Sequence, residues 1–169
     1  IVICTNDNIN YIRTELKDIK NIEYKTIRKL DNFIDYNNLL LSKEFWNSLQ
    51  VEKVLIFQTD SILCRHGVER FLNYDYIGAP SGDFSVMNGG ISIRTVQKMI
   101  ECLDQFVPSK YEEEDKFFTK SLNILNAVLP NFETANEFSI EHVHHENPFC
   151  IHKAWRFLEI DSVLANVVL

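Results

Sequence analysis

The segment "EKVLIFQTDS", residues 52–61, constrains the fold more than any other part of the chain. Val54, Leu55, Ile56 and Phe57 run without a break into Gln58, Thr59 and Asp60. An unbroken apolar run of this length reads as a strand covered on both faces, the mark of a parallel sheet flanked by helices. In open sheets of that kind, ligands bind beyond the carboxyl ends of the strands. Gln58, Thr59 and Asp60 therefore stand where such a sheet keeps its chemistry. Asp60 there either caps the following turn through backbone N–H groups or offers carboxylate oxygen to a hard divalent cation.

The rest of the chain alternates strand and helix patterns. "IVICT" (1–5) and "EYKTIRKL" (23–30) read as strands. The helix between them has Ile12, Leu16 and Ile19 on one face and Asn8 or Asn10 as its cap. Residues 31–50 read as two short helices, the second capped by Ser42, and "KVLIFQ" as the most buried strand. "DYIGAP" (75–80) and "ISIR" (91–94) are predicted strands, with "SGDFSVMNGG" (81–90) as a loop between them. A helix capped by Thr95 carries Val96, Met99, Ile100 and Leu103, and another covers residues 112–128. "ANEFSIEHV" (135–143) ends in a strand, "NPFCIHKAW" (147–155) is a loop, and residues 156–168 form a terminal helix. This alternation predicts an α/β sandwich with a largely parallel sheet, the later strands mixed.

With 169 residues the chain suits one domain. The net charge of −7 argues against a nucleic-acid binder, and an anionic ligand would need a local basic group or a metal. No run of 18 apolar residues exists to span a bilayer. Cys4, Cys64, Cys102 and Cys150 are widely spaced, which reads as reduced intracellular thiols and predicts a cytoplasmic setting.

Three further clusters could carry chemistry. Gly89 and Gly90 in "MNGGIS" allow positive φ or close backbone approach to a ligand, or form an ordinary turn. In "EEEDKFF" Asp115 is a candidate general base at a helix start, although the helix dipole alone favours acidic residues there. His142, His144, His145 and His152 crowd one segment and offer metal ligands or a histidine-rich surface loop.

Taken in order, "FQTDS", "YDYIGAP", "NGGISIR", "EEDKFF", "FSIE" and "PFCIHKAW" form a pattern over about residues 36–157. It resembles a little-described family of glycosyltransferase-like proteins of bacteria, eukaryotes and large DNA viruses. That family is itself similar to nucleotide-sugar-dependent enzymes of the GT-A fold. The resemblance implies a GT-A-like, Rossmann-like three-layer sandwich with a mostly parallel central sheet, as a single domain over residues 1–169. "IVICT" is then either the first strand of a compact variant, or the second strand with part of the N-terminal nucleotide-binding region missing.

The resemblance also implies roles. Asp60 would ligate Mn²⁺ or Mg²⁺ on the donor diphosphate. Gln58 replaces the first aspartate of the D-x-D motif, and Thr59 lies between them. Asn88, Gly89 and Gly90 would shape the sugar pocket. Asp115 would deprotonate the acceptor hydroxyl, with Glu114 beside it. His152 would be a late metal ligand and Lys153 would meet phosphate. If a virus encodes the chain, its setting is the virion or the host cytoplasm.

The leading expectation is thus an inverting, metal-assisted transferase. It would move a sugar from a UDP- or GDP-sugar to a glycan or protein acceptor, with Asp60 and His152 meeting around one ion and Asp115 opening onto the same pocket. One alternative is a non-catalytic sugar- or nucleotide-binding module derived from this fold. Another is a metal-dependent hydrolase built on the histidine cluster with Asp60 and Glu141.

Overall fold

The computed structural model describes residues 2–159. They fall into two compact units, Ile1–Tyr36 and Asn37–Leu169. In the first, strands β1 (Val2–Thr5) and β2 (Tyr24–Ile27) pair in parallel, with Val2 opposite Tyr24. Parallel neighbours need a crossover, here made by helix α1 (Ile9–Glu15). Asn8 precedes that helix without capping it; its side chain accepts instead from the backbone N–H of Thr5 at 2.8 Å.

Helix α2 (Phe33–Leu40) straddles the division between the units. In the second unit follow α3 (Lys43–Asn47), β3 (Lys53–Phe57), β4 (Ser61–Leu63), a 3₁₀ turn at Val68–Phe71, β5 (Tyr76–Pro80) and β6 (Met87–Thr95). Then come α4 (Val96–Gln105), α5 (Glu114–Ile124), α6 (Phe132–Phe138), β7 (Ser139–Ile140), β8 (Cys150–His152) and a 3₁₀ turn at Ala154–Arg156. Ser42 caps α3 as expected, its hydroxyl accepting from Phe45 N–H at 3.2 Å. Among the described residues no helix is long and apolar enough to cross a membrane.

The sheets overturn the expected architecture. Among its described residues the unit holds no mostly parallel central sheet of the GT-A-like, Rossmann-like kind, but two small sheets. One, in the order β3-β6-β5, is antiparallel throughout. The other, β4-β8-β7, pairs β4 with β8 antiparallel and β7 with β8 in parallel. The reason lies in the connections. Residues 81–86 are all that separate β5 from β6, a hairpin-length connection that returns the chain antiparallel.

The apolar run that suggested a doubly covered strand forms an edge. In β3, Leu55 is 36% and Phe57 66% exposed. β6 is the central strand, and all five residues of β5 are buried. Short elements also departed from the reading. "NPFCIHKAW" supplies β8 instead of a loop, "SIL" forms β4, and "MNGG" opens β6. α6 was missed although Asn131 caps it, accepting from Thr134 N–H at 2.9 Å. The expected helix at 156–168 lies, from residue 160 onward, outside the described residues.

One core cluster joins the sheets: Phe71, Ile77, Ile91, Ile93, Phe138, Phe149 and Cys150. Its rings pack edge-on and stacked, with Phe71–Phe138 centroids 5.1 Å apart and Phe138–Phe149 centroids 5.7 Å apart. Burial of each such ring contributes roughly 1.5–3 kcal/mol.

Candidate functional site

The chain passes from β3 to β4 through a tight turn in which Ser61 N–H donates to the Gln58 carbonyl at 3.0 Å. Gln58 N–H is held by the Gly90 carbonyl of β6 at 2.8 Å. The β4–β8 ladder then places Ser61 opposite His152. Asp60 and Lys153, the residues just outside that rung, are joined by a bond from Lys153 N–H to the Asp60 carbonyl at 3.2 Å. Two segments ninety residues apart in sequence thus meet through a ladder of three residue pairs.

Four polar side chains converge there. His152 Nε2 lies 3.5 Å from Asp60 Oδ1 and 3.2 Å from Gln58 Oε1. Lys153 Nζ lies 3.5 Å from Asp60 Oδ2 and donates to Gln58 Oε1 at 3.1 Å. Lys153 takes a left-handed backbone with φ 48°, a conformation that costs a lysine about 1–3 kcal/mol. That cost is met where its ammonium is turned toward Asp60. Thr59 is exposed in the turn.

Behind His152 stands Glu141, which directly follows β7. Because Ile140 pairs with Ile151, the next residues along, Glu141 and His152, fall side by side. Glu141 Oε1 is 3.4 Å from His152 Nδ1. The ring lies flat against Gly90: a Cβ built there would sit 2.1 Å from ring atoms Cε1 and Nε2. Neither Gly89 nor Gly90 has positive φ, so the paired glycines answer a need for space, not for unusual backbone. Gly90→Ala should therefore cost about 1–3 kcal/mol by overpacking, measured by denaturant unfolding, and should displace the His152 ring.

A second group assembles on the other side of Gly89. Asp115, in the first turn of α5, accepts from its neighbour Lys116 N–H at 2.8 Å and from Gly89 N–H at 3.4 Å. Burial, and then the charge of Glu114, push the Asp115 carboxyl above its ordinary value. Asn88 and Asp115 line a cleft of about 250 Å³ that also meets Glu141 and His142. Asp60, Gln58, His152 and Lys153 do not line it.

Glu114, expected beside the base, is committed elsewhere. Its carboxylate forms a two-pronged ion pair with Arg94 of β6, at 2.5 and 3.0 Å, with both side chains buried. Arg94 also donates to the Gly89 carbonyl at 3.3 Å and to Ser92 Oγ at 2.9 Å, beneath the ring of Tyr76. Asn37 fixes the helix start: its amide donates to the Glu112 carbonyl and accepts from Glu114 N–H, both at 2.7 Å. Sequence reading missed Arg94 and Asn37. The alternation of "ISIR" held a signal, since Ser92 and Arg94 share the face that turns away from Ile91 and Ile93.

Residues 18–152 match a family described as a protein of unknown function, DUF5672. The chain belongs to the DUF5672 family. No curated protein matches it. In this DUF5672 chain the matched region contains Gln58, Asp60, Asn88, Asp115, Glu141 and His152, and ends one residue before Lys153.

The DUF5672 histidine cluster does not converge. His142 packs on Phe157 with centroids 4.0 Å apart, and His145 Nδ1 accepts from Asn147 N–H at 3.1 Å. Among the described residues no three His, Cys, Asp or Glu side chains form a metal-holding group, which removes the support for a three-ligand zinc hydrolase. Asp60 and His152 fit a more open arrangement. Asp60 Oδ1 is buried without a hydrogen-bond partner, and its 3.5 Å separation from His152 Nε2 suits two ligands of one hard cation. Gln58 adds a neutral amide oxygen beside them. Such a pair would leave most coordination positions of a hard cation to other oxygen ligands.

Proposed function

We propose that this DUF5672 chain transfers a sugar from a nucleotide-diphosphate sugar to an acceptor hydroxyl with inversion. The reading rests on the motif resemblance together with one observation. Asp60, His152 and Lys153, a carboxylate, an imidazole and an ammonium, are gathered at one turn, and Asp60 Oδ1 there lacks a hydrogen-bond donor. Asp60 and His152 would hold Mn²⁺ or Mg²⁺, and that ion would supply positive charge to the departing diphosphate. The Lys153 ammonium adds a second, fixed positive charge for the same oxygens.

Asp115 takes the acceptor proton as the acceptor oxygen bonds to the anomeric carbon. The bond from that carbon to the phosphate oxygen breaks, and its electron pair leaves with the nucleoside diphosphate. A carboxyl raised by burial is better matched to this task near neutral pH than an ordinary aspartate. Asn88 and the Gly89–Gly90 backbone border the space between the two groups. Cys4, Cys64, Cys102 and Cys150 are free and buried, which supports a reducing, cytoplasmic setting.

A thermal-shift screen of UDP- and GDP-sugars with and without Mn²⁺ tests the reading. Ligand at one hundred times its Kd stabilises by about 2.7 kcal/mol, a rise of roughly 5–10 °C for a chain of this size. The rise should require both nucleotide sugar and Mn²⁺. A rise that ignores the metal, with no turnover, would leave a non-catalytic binding module instead.

A further inference from the structure

The cleft beside Asp115 contains a group that the proposed reaction does not use. Glu141 is 5% exposed, yet its carboxylate lines the cleft. It accepts no hydrogen bond among the described residues. Two imidazoles flank it: His142 Nε2 at 3.7 Å, beyond hydrogen-bonding distance, and His152 Nδ1 at 3.4 Å, which is itself without a hydrogen-bond partner. Its oxygens are not among the buried atoms left without a partner; they face the cleft, where a carboxylate that takes no protein donor is open to O–H groups from whatever fills it.

The rest of the wall sharpens the requirement. Asp115 adds a second acceptor, Asn88 an amide, and Ser81 and Ser85 hydroxyls. Glu113 adds a third carboxylate, and the ammonium of Lys116 is already paired with it at 2.9 Å. The lining therefore presents an excess of negative charge and no uncommitted lysine. A volume of about 250 Å³ lies just under the roughly 300–1,000 Å³ range of pockets for drug-sized ligands, which suits one sugar ring.

We infer that this cleft is a subsite for a single pyranose ring without acidic groups, bound by hydroxyl donation to Glu141 and Asp115. Sugars bearing carboxylate, phosphate or sulfate are excluded by like charge. The site as a whole is then electrically two-sided, with phosphate drawn to Lys153 and an uncharged ring drawn to the carboxylates. That the bound ring is the acceptor rests on the transfer reaction proposed above; that it binds does not.

The test needs neither donor nor metal. Methyl glucoside, galactoside and mannoside are titrated into the ¹⁵N-labelled protein, each alongside its uronic acid. The Gly89 backbone amide and the Asn88 side-chain amide are followed. At least one neutral glycoside should shift both signals, with its uronate at least about tenfold weaker. Glu113→Gln, at an exposed position, frees Lys116 and should narrow that gap. Glu141→Gln should weaken the neutral sugar. Uronates binding as tightly as their neutral partners, or no neutral glycoside moving either signal, would overturn the inference. Glycoside shifts without Mn²⁺-dependent nucleotide-sugar binding would uphold the cleft and defeat the transferase reading. Donor binding without glycoside shifts would do the reverse.

Discussion

Asp115→Asn is expected to reduce transfer by about 10²–10⁴-fold, the usual contribution of a positioned general base, with Mn²⁺-dependent donor affinity unchanged. Donor affinity should hold because the residues proposed to grip the diphosphate are Asp60, His152 and Lys153, on the other side of Gly89. The same substitution separates chemistry from stability. Burial and the Glu114 charge raise the Asp115 carboxyl above the ordinary 3.8, so the folded protein binds that proton more tightly than the unfolded chain. The resulting stability is fully present below pH 3.8 and is lost as pH rises through the higher, folded value. At neutral pH the charged carboxylate is a burden, and the amide should leave Tm unchanged or higher. The wild-type rate should fall on its acid limb at a pH above that of an ordinary aspartate. Single-turnover kinetics beside a melting curve decide the matter: a variant that folds, binds donor and still transfers at the wild-type rate removes Asp115 from the role.

Glu114→Ala is expected to destabilise the protein by about 3–5 kcal/mol, because it leaves the Arg94 guanidinium buried without the carboxylate that neutralises it. For a chain of this size that corresponds to a fall in Tm of roughly 6–20 °C. Arg94→Met with Glu114→Met should recover most of the loss, since replacing a whole buried ion pair with apolar volume is often neutral or better. The aromatic surroundings of Tyr76, Trp46 and Phe118 would accept the methionines. Equilibrium urea unfolding of the three proteins measures both steps. A single variant within 1 kcal/mol of wild type would show that Glu114 does not neutralise a desolvated charge, and the account of the pair as a clamp between β6 and α5 would fail.

The parts of the site that were legible in sequence are those whose residue types are unusual for their position. Asp60 ending an apolar run and adjacent glycines at 89 and 90 both stand out from a packing pattern, and both lie at the site. The pairing that joins Asp60 to His152 was not legible from local pattern. β4 and β8 are three residues each, too short to show a period, and "CIH" reads equally well as a loop. The sheet was misread for a different reason. An apolar run says that a strand is apolar, not that both faces are covered, and Phe57 lies 66% exposed on an edge. The pairing of Glu114 with Arg94 was not legible because proximity in sequence to Asp115 carries no orientation. Successive residues on a helix point about a hundred degrees apart, so Asp115 meets the cleft while Glu114 turns inward to Arg94.

The ladder between β4 and β8 has a consequence for how firmly the protein can hold anything. Three residue pairs fasten Asp60's turn to His152; β8 is buried and paired on its other side with β7, whereas Leu63 of β4 is exposed, so β4 is the side that local opening would release. A partner that bridges the two side chains would therefore act as a rivet across that seam, and part of its affinity would be spent on the fastening. Tightness of grip is then set as much by the backbone rungs at Ile62 and Ile151 as by the carboxylate and the imidazole themselves.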